Sequence, residues 1–128
     1  MKINIPVSLG ELIDKITILE IKSSKIRNSN KKLNIEKELY LLSEIFQKID
    51  LKSDELKMLT KKLKKINEKL WNIEDNIRVF EKDKNFGEEF IKTAREVYFL
   101  NDKRFEVKNE INNEFNSEII EEKYYEEY

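Results

Sequence analysis

A run of apolar residues at alternating three- and four-residue spacing, between residues 56 and 80, constrains the fold more than any other feature. The series is Leu56, Leu59, Leu63, Ile66, Leu70, Ile73, Ile77 and Phe80. A heptad repeat of this kind, as in a coiled coil, places a narrow apolar seam along one side of a long α-helix. Because such a seam is unstable in water, other helices must cover it. The sequence therefore predicts an all-α, antiparallel helical bundle.

Apolar residues at similar spacing recur in three other segments, so we predict four helices in a single domain. The predicted helices span residues 9–27, 33–49, 54–83 and 86–115. Their connections are short, which favours an up-down arrangement with consecutive helices as antiparallel neighbours. Ser8 and Glu11 match a capping box at the start of the first helix. We expect an extended N-terminal arm packed on the bundle, and an acidic, tyrosine-rich tail (116–128) with one or two further helical turns.

The chain contains no histidine and no cysteine, which limits the chemistry available to it. Thiolate nucleophiles, zinc–sulfur sites and Ser-His-Asp arrangements are excluded. A metal ion would have to be a hard cation such as Mg²⁺, bound by carboxylates. Glu118, Glu121 and Glu122 have suitable helical spacing, but such spacing arises by chance in a glutamate-rich chain. We therefore expect no metal and no cofactor.

Charged residues make up 40 % of the chain, but its net charge is only −1. With two glycines and one proline, this composition favours long solvated helices over disorder. The basic run Lys61, Lys62, Lys64 and Lys65 shares its helix with acidic residues, so it is interpreted as a solvated face and not as a nucleic-acid site. No apolar run is long enough for a signal peptide or a membrane span. We expect a cytoplasmic protein without nucleic-acid or membrane partners.

The apolar seam of the fourth predicted helix is interrupted by polar residues. It reads Phe90, Ala94, Val97, Asn101, Arg104, Lys108, Ile111 and Phe115. Burying polar groups costs free energy unless they have partners, and Glu20 and Glu74 are the expected counter-ions. The polar band formed by Asn101, Arg104 and Lys108 is either a salt-bridge network that sets helix register or a cationic pocket for an anionic ligand. A third possibility is that the helices rotate and expose these side chains to solvent.

Several apolar residues lie off the predicted seams. They are Ile18, Ile21, Trp71 and Val79. The N-terminal arm and the tail tyrosines Tyr124, Tyr125 and Tyr128 could cover them. Otherwise Ile18, Ile21 and Trp71 form a patch for a protein partner or for a homo-oligomer, since exposed apolar stripes mark interfaces.

Four segments of the chain resemble those of a known family. They are VSLGELIDKITILEIK (7–22), NEKLWNIEDNIR (67–78), FGEEFIKTAREVYFLNDKRFEVKNEIN (86–112) and EEKYY (121–125). In this order, over nearly the whole chain, they resemble a short, mostly bacterial family, domain of unknown function 6165. The resemblance implies no established activity or ligand. It marks as motif residues Lys15, Glu74, Asp75, Arg78, Arg95, Asn101, Asp102 and Arg104.

Two functions remain open, and whether the chain is an enzyme is undecided. The first is a protein–protein interaction or accessory module. The alternative is a binding protein or enzyme for an anionic sugar or nucleotide metabolite, which the resemblance links to surface-polysaccharide biosynthesis. In the alternative, Glu74 or Asp75 is the catalytic acid or base, because no histidine is available. The candidate binding residues are Lys15, Glu20, Arg78, Arg95, Asn101, Arg104 and Lys108.

Overall fold

The computed structural model describes residues 1–128 as four α-helices without any strand. The helices are α1 (Leu9–Lys25), α2 (Ser29–Ile49), α3 (Asp54–Lys82) and α4 (Glu88–Glu114). The all-α prediction is confirmed. The start of α2 is earlier than predicted because the Asn28 side chain caps it, accepting a hydrogen bond from the Lys31 N–H at 3.0 Å. No helix combines the length and apolarity needed to cross a bilayer.

The core lies mainly between α3 and α4. Its buried residues are Ile13, Leu56, Leu59, Leu63, Ile66, Leu70, Leu100, Val107 and Ile111. All except Ile13 belong to α3 or α4, and the first half of the predicted seam on α3 is fully buried. Glu55, near the start of α3, faces Glu110 and Glu114 near the end of α4, so the two helices are antiparallel. The rest of the seam, from Ile73 to Phe80, is only partly buried.

Helix α1 is the only helix that packs against each of the other three. Its first turn contacts α4 through Gly10, whereas Glu20 near its end reaches Lys64 of α3. Helix α2 packs against α1 alone, and Ile35 is its one buried residue. The expected contact between α2 and α3 is therefore wrong: α1, and not α2, covers the α3–α4 pair.

The two ends of the chain differ from the sequence-based prediction. The N-terminal arm has no regular secondary structure, and Ile3 and Ile5 are 73 % and 69 % exposed, so the arm does not pack on the bundle as expected. The tail forms no further helical turn. Instead, Ser117 accepts a hydrogen bond from the Leu9 N–H at 3.1 Å, and the tail returns along α4. We call residues 117–128 the C-terminal strap.

Gly10 permits the close approach of α1 to α4. A Cβ atom at this position would lie 2.5 Å from the backbone oxygen of Lys108 and 2.9 Å from Oδ1 of Asn112. The Gly10 N–H also donates to that Asn112 oxygen at 2.7 Å. Any larger residue must push the two helices apart.

We expect Gly10→Ala to destabilise the fold by about 1–3 kcal/mol, because the added methyl overpacks the crossing of α1 and α4. Urea unfolding followed by circular dichroism measures the change. Gly87→Ala is the matched control, since the nearest atom to its added Cβ is Asn85 Oδ1 at an ordinary 3.5 Å. Equal stability of the two variants would show that the two helices are not in close contact at Gly10.

Candidate functional site

The polar band of α4 meets α1 and α3 at Asp14, a fully buried carboxylate. Oδ1 of Asp14 accepts hydrogen bonds from Nδ2 of Asn67 on α3 at 2.9 Å and from Nε of Arg104 on α4 at 3.0 Å. Its Oδ2 accepts from Nη2 of Arg104 at 2.5 Å. Two parallel bonds between a guanidinium and a carboxylate are strong and directional. The hydrogen bond from Arg104 to Asp14 raises the pKa of Arg104.

Lys108, one turn after Arg104 on α4, has carboxylates on several sides. Its Nζ donates to Glu11 at 2.7 Å and to Glu121 of the C-terminal strap at 2.9 Å, and it lies 3.9 Å from Oδ2 of Asp14. Burial opposes the charge on Lys108, but the hydrogen bonds to the two glutamates outweigh it, so its pKa lies above the ordinary value. The ammonium group is therefore charged, and two carboxylates of the protein accept hydrogen bonds from it.

Local sequence explains how α1 presents its acidic residues to this band. Ser8 caps the helix, with its Oγ accepting from the Glu11 N–H at 3.1 Å. The Glu11 carboxylate of the predicted capping box bonds to Lys108 instead of returning to the cap. Glu11 and Asp14 share a helix face, as do Arg104 and Lys108, because residues three or four apart are neighbours on a helix. Thr17, one turn further, accepts from Asn67 at 3.0 Å.

The prediction that Glu20 and Glu74 are the counter-ions of Arg104 and Lys108 is wrong. Glu20 pairs with Lys64 at 3.1 Å, and Glu74 pairs with Arg78 on its own helix at 2.7 Å. The residues that sequence reasoning missed are Asp14, Glu11 and Glu121. For Asp14 a signal was present, because an acidic residue inside the run Leu-Ile-Asp-Lys-Ile-Thr-Ile-Leu is surrounded by apolar neighbours.

Among the candidate binding residues, the structure brings together only Arg104 and Lys108. Lys15, Arg78 and Arg95 are exposed, and Asn101 is partly buried. Arg95 precedes Arg104 by nine residues, or about 13 Å along the helix axis. Of the catalytic candidates, Asp75 is exposed and Glu74 is the partner of Arg78. The roles assigned to these residues remain predictions.

The patch expected from Ile18, Ile21 and Trp71 is not an exposed surface. Ile21 is buried, with 3 % of its surface exposed, and its placement on an exposed patch is wrong. Ile18 and Trp71 are partly buried. The tail tyrosines do not provide this cover, since Tyr124 and Tyr125 are 99 % and 77 % exposed. Contact of α1 with three helices leaves little of its surface free.

Asp102 on α4 anchors the far end of the C-terminal strap. Its Oδ1 accepts from Nζ of Lys123 at 2.5 Å, and its Oδ2 accepts from the Tyr128 hydroxyl. These hydrogen bonds, first from Lys123 and then from Tyr128, lower the pKa of Asp102. The same bond to Asp102 raises the pKa of Tyr128 to about 12. The Tyr128 ring also lies against Phe99, with centroids 5.1 Å apart.

Two open grooves lie along α4, outside the polar band. The first, of about 380 Å³, is lined by α4 alone: Glu88, Ile91, Lys92, Arg95, Glu96 and Phe99. We call these six residues the outer α4 face. The second groove, of about 450 Å³, shares Glu96 and Phe99 and also contacts α3. No group of three or more acidic side chains is arranged to hold a metal ion.

The bond between Tyr128 and Asp102 predicts a tyrosine that ionises late. In Asp102→Asn we expect the pKa of Tyr128 to fall from about 12 towards its ordinary 10.0, because the charged acceptor is lost. Tyrosinate absorbance recorded against pH measures it, with Tyr128→Phe identifying the signal of this residue. Glu106→Gln is the control, since Glu106 acts on Tyr128 only weakly. An unchanged late phase in Asp102→Asn would contradict this anchoring of the strap.

Comparison with known proteins adds a family but no activity. The model of a protein family described as "Family of unknown function (DUF6165)" matches residues 1–128, the whole chain. Comparisons with curated proteins and with solved structures found no match.

Proposed function

The chain belongs to the DUF6165 family, whose description assigns no function, and we propose that it is a protein–protein interaction module acting through the outer α4 face. One observation carries the proposal: large apolar side chains on the outer α4 face and at the turn before it stay exposed, although Tyr128 of the C-terminal strap lies against Phe99. Ile91 is 55 % exposed and Phe99 is 37 % exposed, and Phe86 at the preceding turn is 52 % exposed. Exposed large apolar side chains grouped on one face often mark an interaction site.

The composition of the outer α4 face also supports a protein partner. Arg95 lies over the Phe99 ring, with its guanidinium carbon 5.8 Å from the ring centroid, and Tyr98 lies beside both. Aromatic residues and arginine are enriched in protein interfaces, and the aromatic rings provide a large contact area with few rotatable bonds. Ile18 and Trp71, which keep part of their surface exposed, remain proposed secondary contacts. We propose a cytoplasmic location for the module.

The alternative, a site for an anionic sugar or nucleotide metabolite linked to surface-polysaccharide biosynthesis, has less support. The residues predicted to bind the anion are Arg95, Arg104 and Lys108. A binding site requires these side chains to converge on one ligand. Arg104 and Lys108 already contact carboxylates of the chain, whereas Arg95 is on another part of α4. A thermal-shift screen with sugar phosphates and nucleotides distinguishes the two functions, because a bound ligand raises apparent stability.

Site-specific photo-crosslinking tests the interaction surface. We replace Ile91 or Phe99 with the photo-reactive residue benzoylphenylalanine and irradiate cells that produce the full chain. We expect each position to give a discrete covalent product with one partner, because a specific complex holds the same partner group beside the probe.

The control places the same probe at Met58, which is 62 % exposed on the first turns of α3, far from the outer α4 face. Met58 should give no discrete product. If the outer α4 face gives no product, or gives only the pattern seen at Met58, the proposed interaction surface is wrong.

A further inference from the structure

We infer that the partner of the outer α4 face is a second copy of this chain, packed antiparallel to the first about a two-fold axis. The inference rests on the proposed function, since it names the partner for the same surface. It also commits to a register in which Glu88 of each copy lies opposite Arg95 of the other.

The charges of Glu88 and Arg95 are free within one copy. Glu88 has no ion-pair partner, and neither has Arg95, whose only side-chain hydrogen bond goes to the Tyr98 hydroxyl at 3.4 Å. The two residues are seven positions apart on one face, which is about 10 Å along α4. An antiparallel partner helix with a base and an acid at the same separation can form an ion pair with each of these two residues.

A two-fold axis supplies that partner. In a symmetric dimer, if residue i contacts residue j, then j contacts i across the axis. Antiparallel pairing of two α4 helices with Glu88 opposite Arg95 therefore forms two identical ion pairs. The axis passes between positions 91 and 92, so it brings the two exposed Ile91 side chains together at the centre of the contact.

The same register places Phe99 near the start of α4 in the other copy. Phe99 therefore lies towards the turn between α3 and α4, which carries the exposed Phe86. Lys92 lies near its counterpart at the axis. Glu96 lies one turn away on the same helix, at a spacing that lets its carboxylate offset part of the Lys92 charge.

The balance of charge on the outer α4 face favours a second copy over a nucleic acid or an anionic membrane. The face carries two acidic residues, Glu88 and Glu96, and two basic residues, Lys92 and Arg95. A nucleic acid or an anionic membrane would meet both carboxylates with unfavourable charge. An antiparallel copy of a face with both signs can place opposite charges together, and complementary charges set the register of an interface.

Charge reversal in the purified full chain tests this dimer. Light scattering after size exclusion, across a range of loading concentrations, should show a wild-type mass that rises from one chain towards two. Glu88→Arg and Arg95→Glu should each weaken the dimer by about tenfold or more. Each substitution turns both of the ion pairs across the two-fold axis into pairs of like charge. The double variant, Glu88→Arg with Arg95→Glu, should restore the wild-type dimer. Glu89→Arg, which makes the same charge change outside the outer α4 face, should leave the dimer intact.

Circular dichroism of every variant checks that the helices still form. A wild-type chain that stays monomeric at all concentrations would overturn the dimer, and a double variant that stays weakened would overturn its register. If the chain is monomeric but the photo-crosslinked product contains another protein, the proposed function stands and this inference fails. A crosslinked product of two copies, with restoration in the double variant, supports both.

Discussion

The arrangement of this protein depends on the ion pair between Asp14 and Arg104. Asp14 is the one residue through which three helices meet: it belongs to α1, accepts a hydrogen bond from Asn67 of α3 and holds the guanidinium of Arg104 on α4. A buried ion pair contributes little net stability compared with apolar residues of the same shape, but losing one partner is costly. A placement of α1 that kept Asp14 buried but moved it away from Asn67 and Arg104 would leave its carboxylate without these partners.

The polar band also limits where function can lie. Three carboxylates from outside α4, those of Glu11, Asp14 and Glu121, pair with the charges of Arg104 and Lys108. The charges of Arg104 and Lys108 are therefore explained by contacts within the protein, without a ligand. Side chains that are available to a partner lie on the surface. The C-terminal strap joins the two regions, because its Glu121 contacts the polar band at Lys108 and its Tyr128 lies against Phe99 of the outer α4 face.

Sequence periodicity was sufficient to predict the four helices and the burial of the first half of the α3 seam, because spacing along one helix determines which side chains share a face. It was not sufficient to identify which helix covers that seam. Helix α1 has apolar residues on several sides. Ile21 lies off the predicted seam, but it is buried because α1 packs against three helices. The counter-ions were missed for the same reason: Glu20 and Asp14 are both acidic residues of α1, and only the position of α1 on α4 selects Asp14. The strap could not be predicted, since distant side chains such as Asp102 hold it and no local pattern does.

A double-mutant cycle on Asp14 and Arg104 tests this account most directly. Urea unfolding of Asp14→Asn, of Arg104→Gln and of the variant with both substitutions gives the coupling free energy of the pair. The account predicts a coupling of about 2 kcal/mol or more, since residues within one buried network depart from additivity by up to about 3 kcal/mol. Losses of stability that add to within about 0.5 kcal/mol would show that the two residues act independently, and would contradict the central role of their contact.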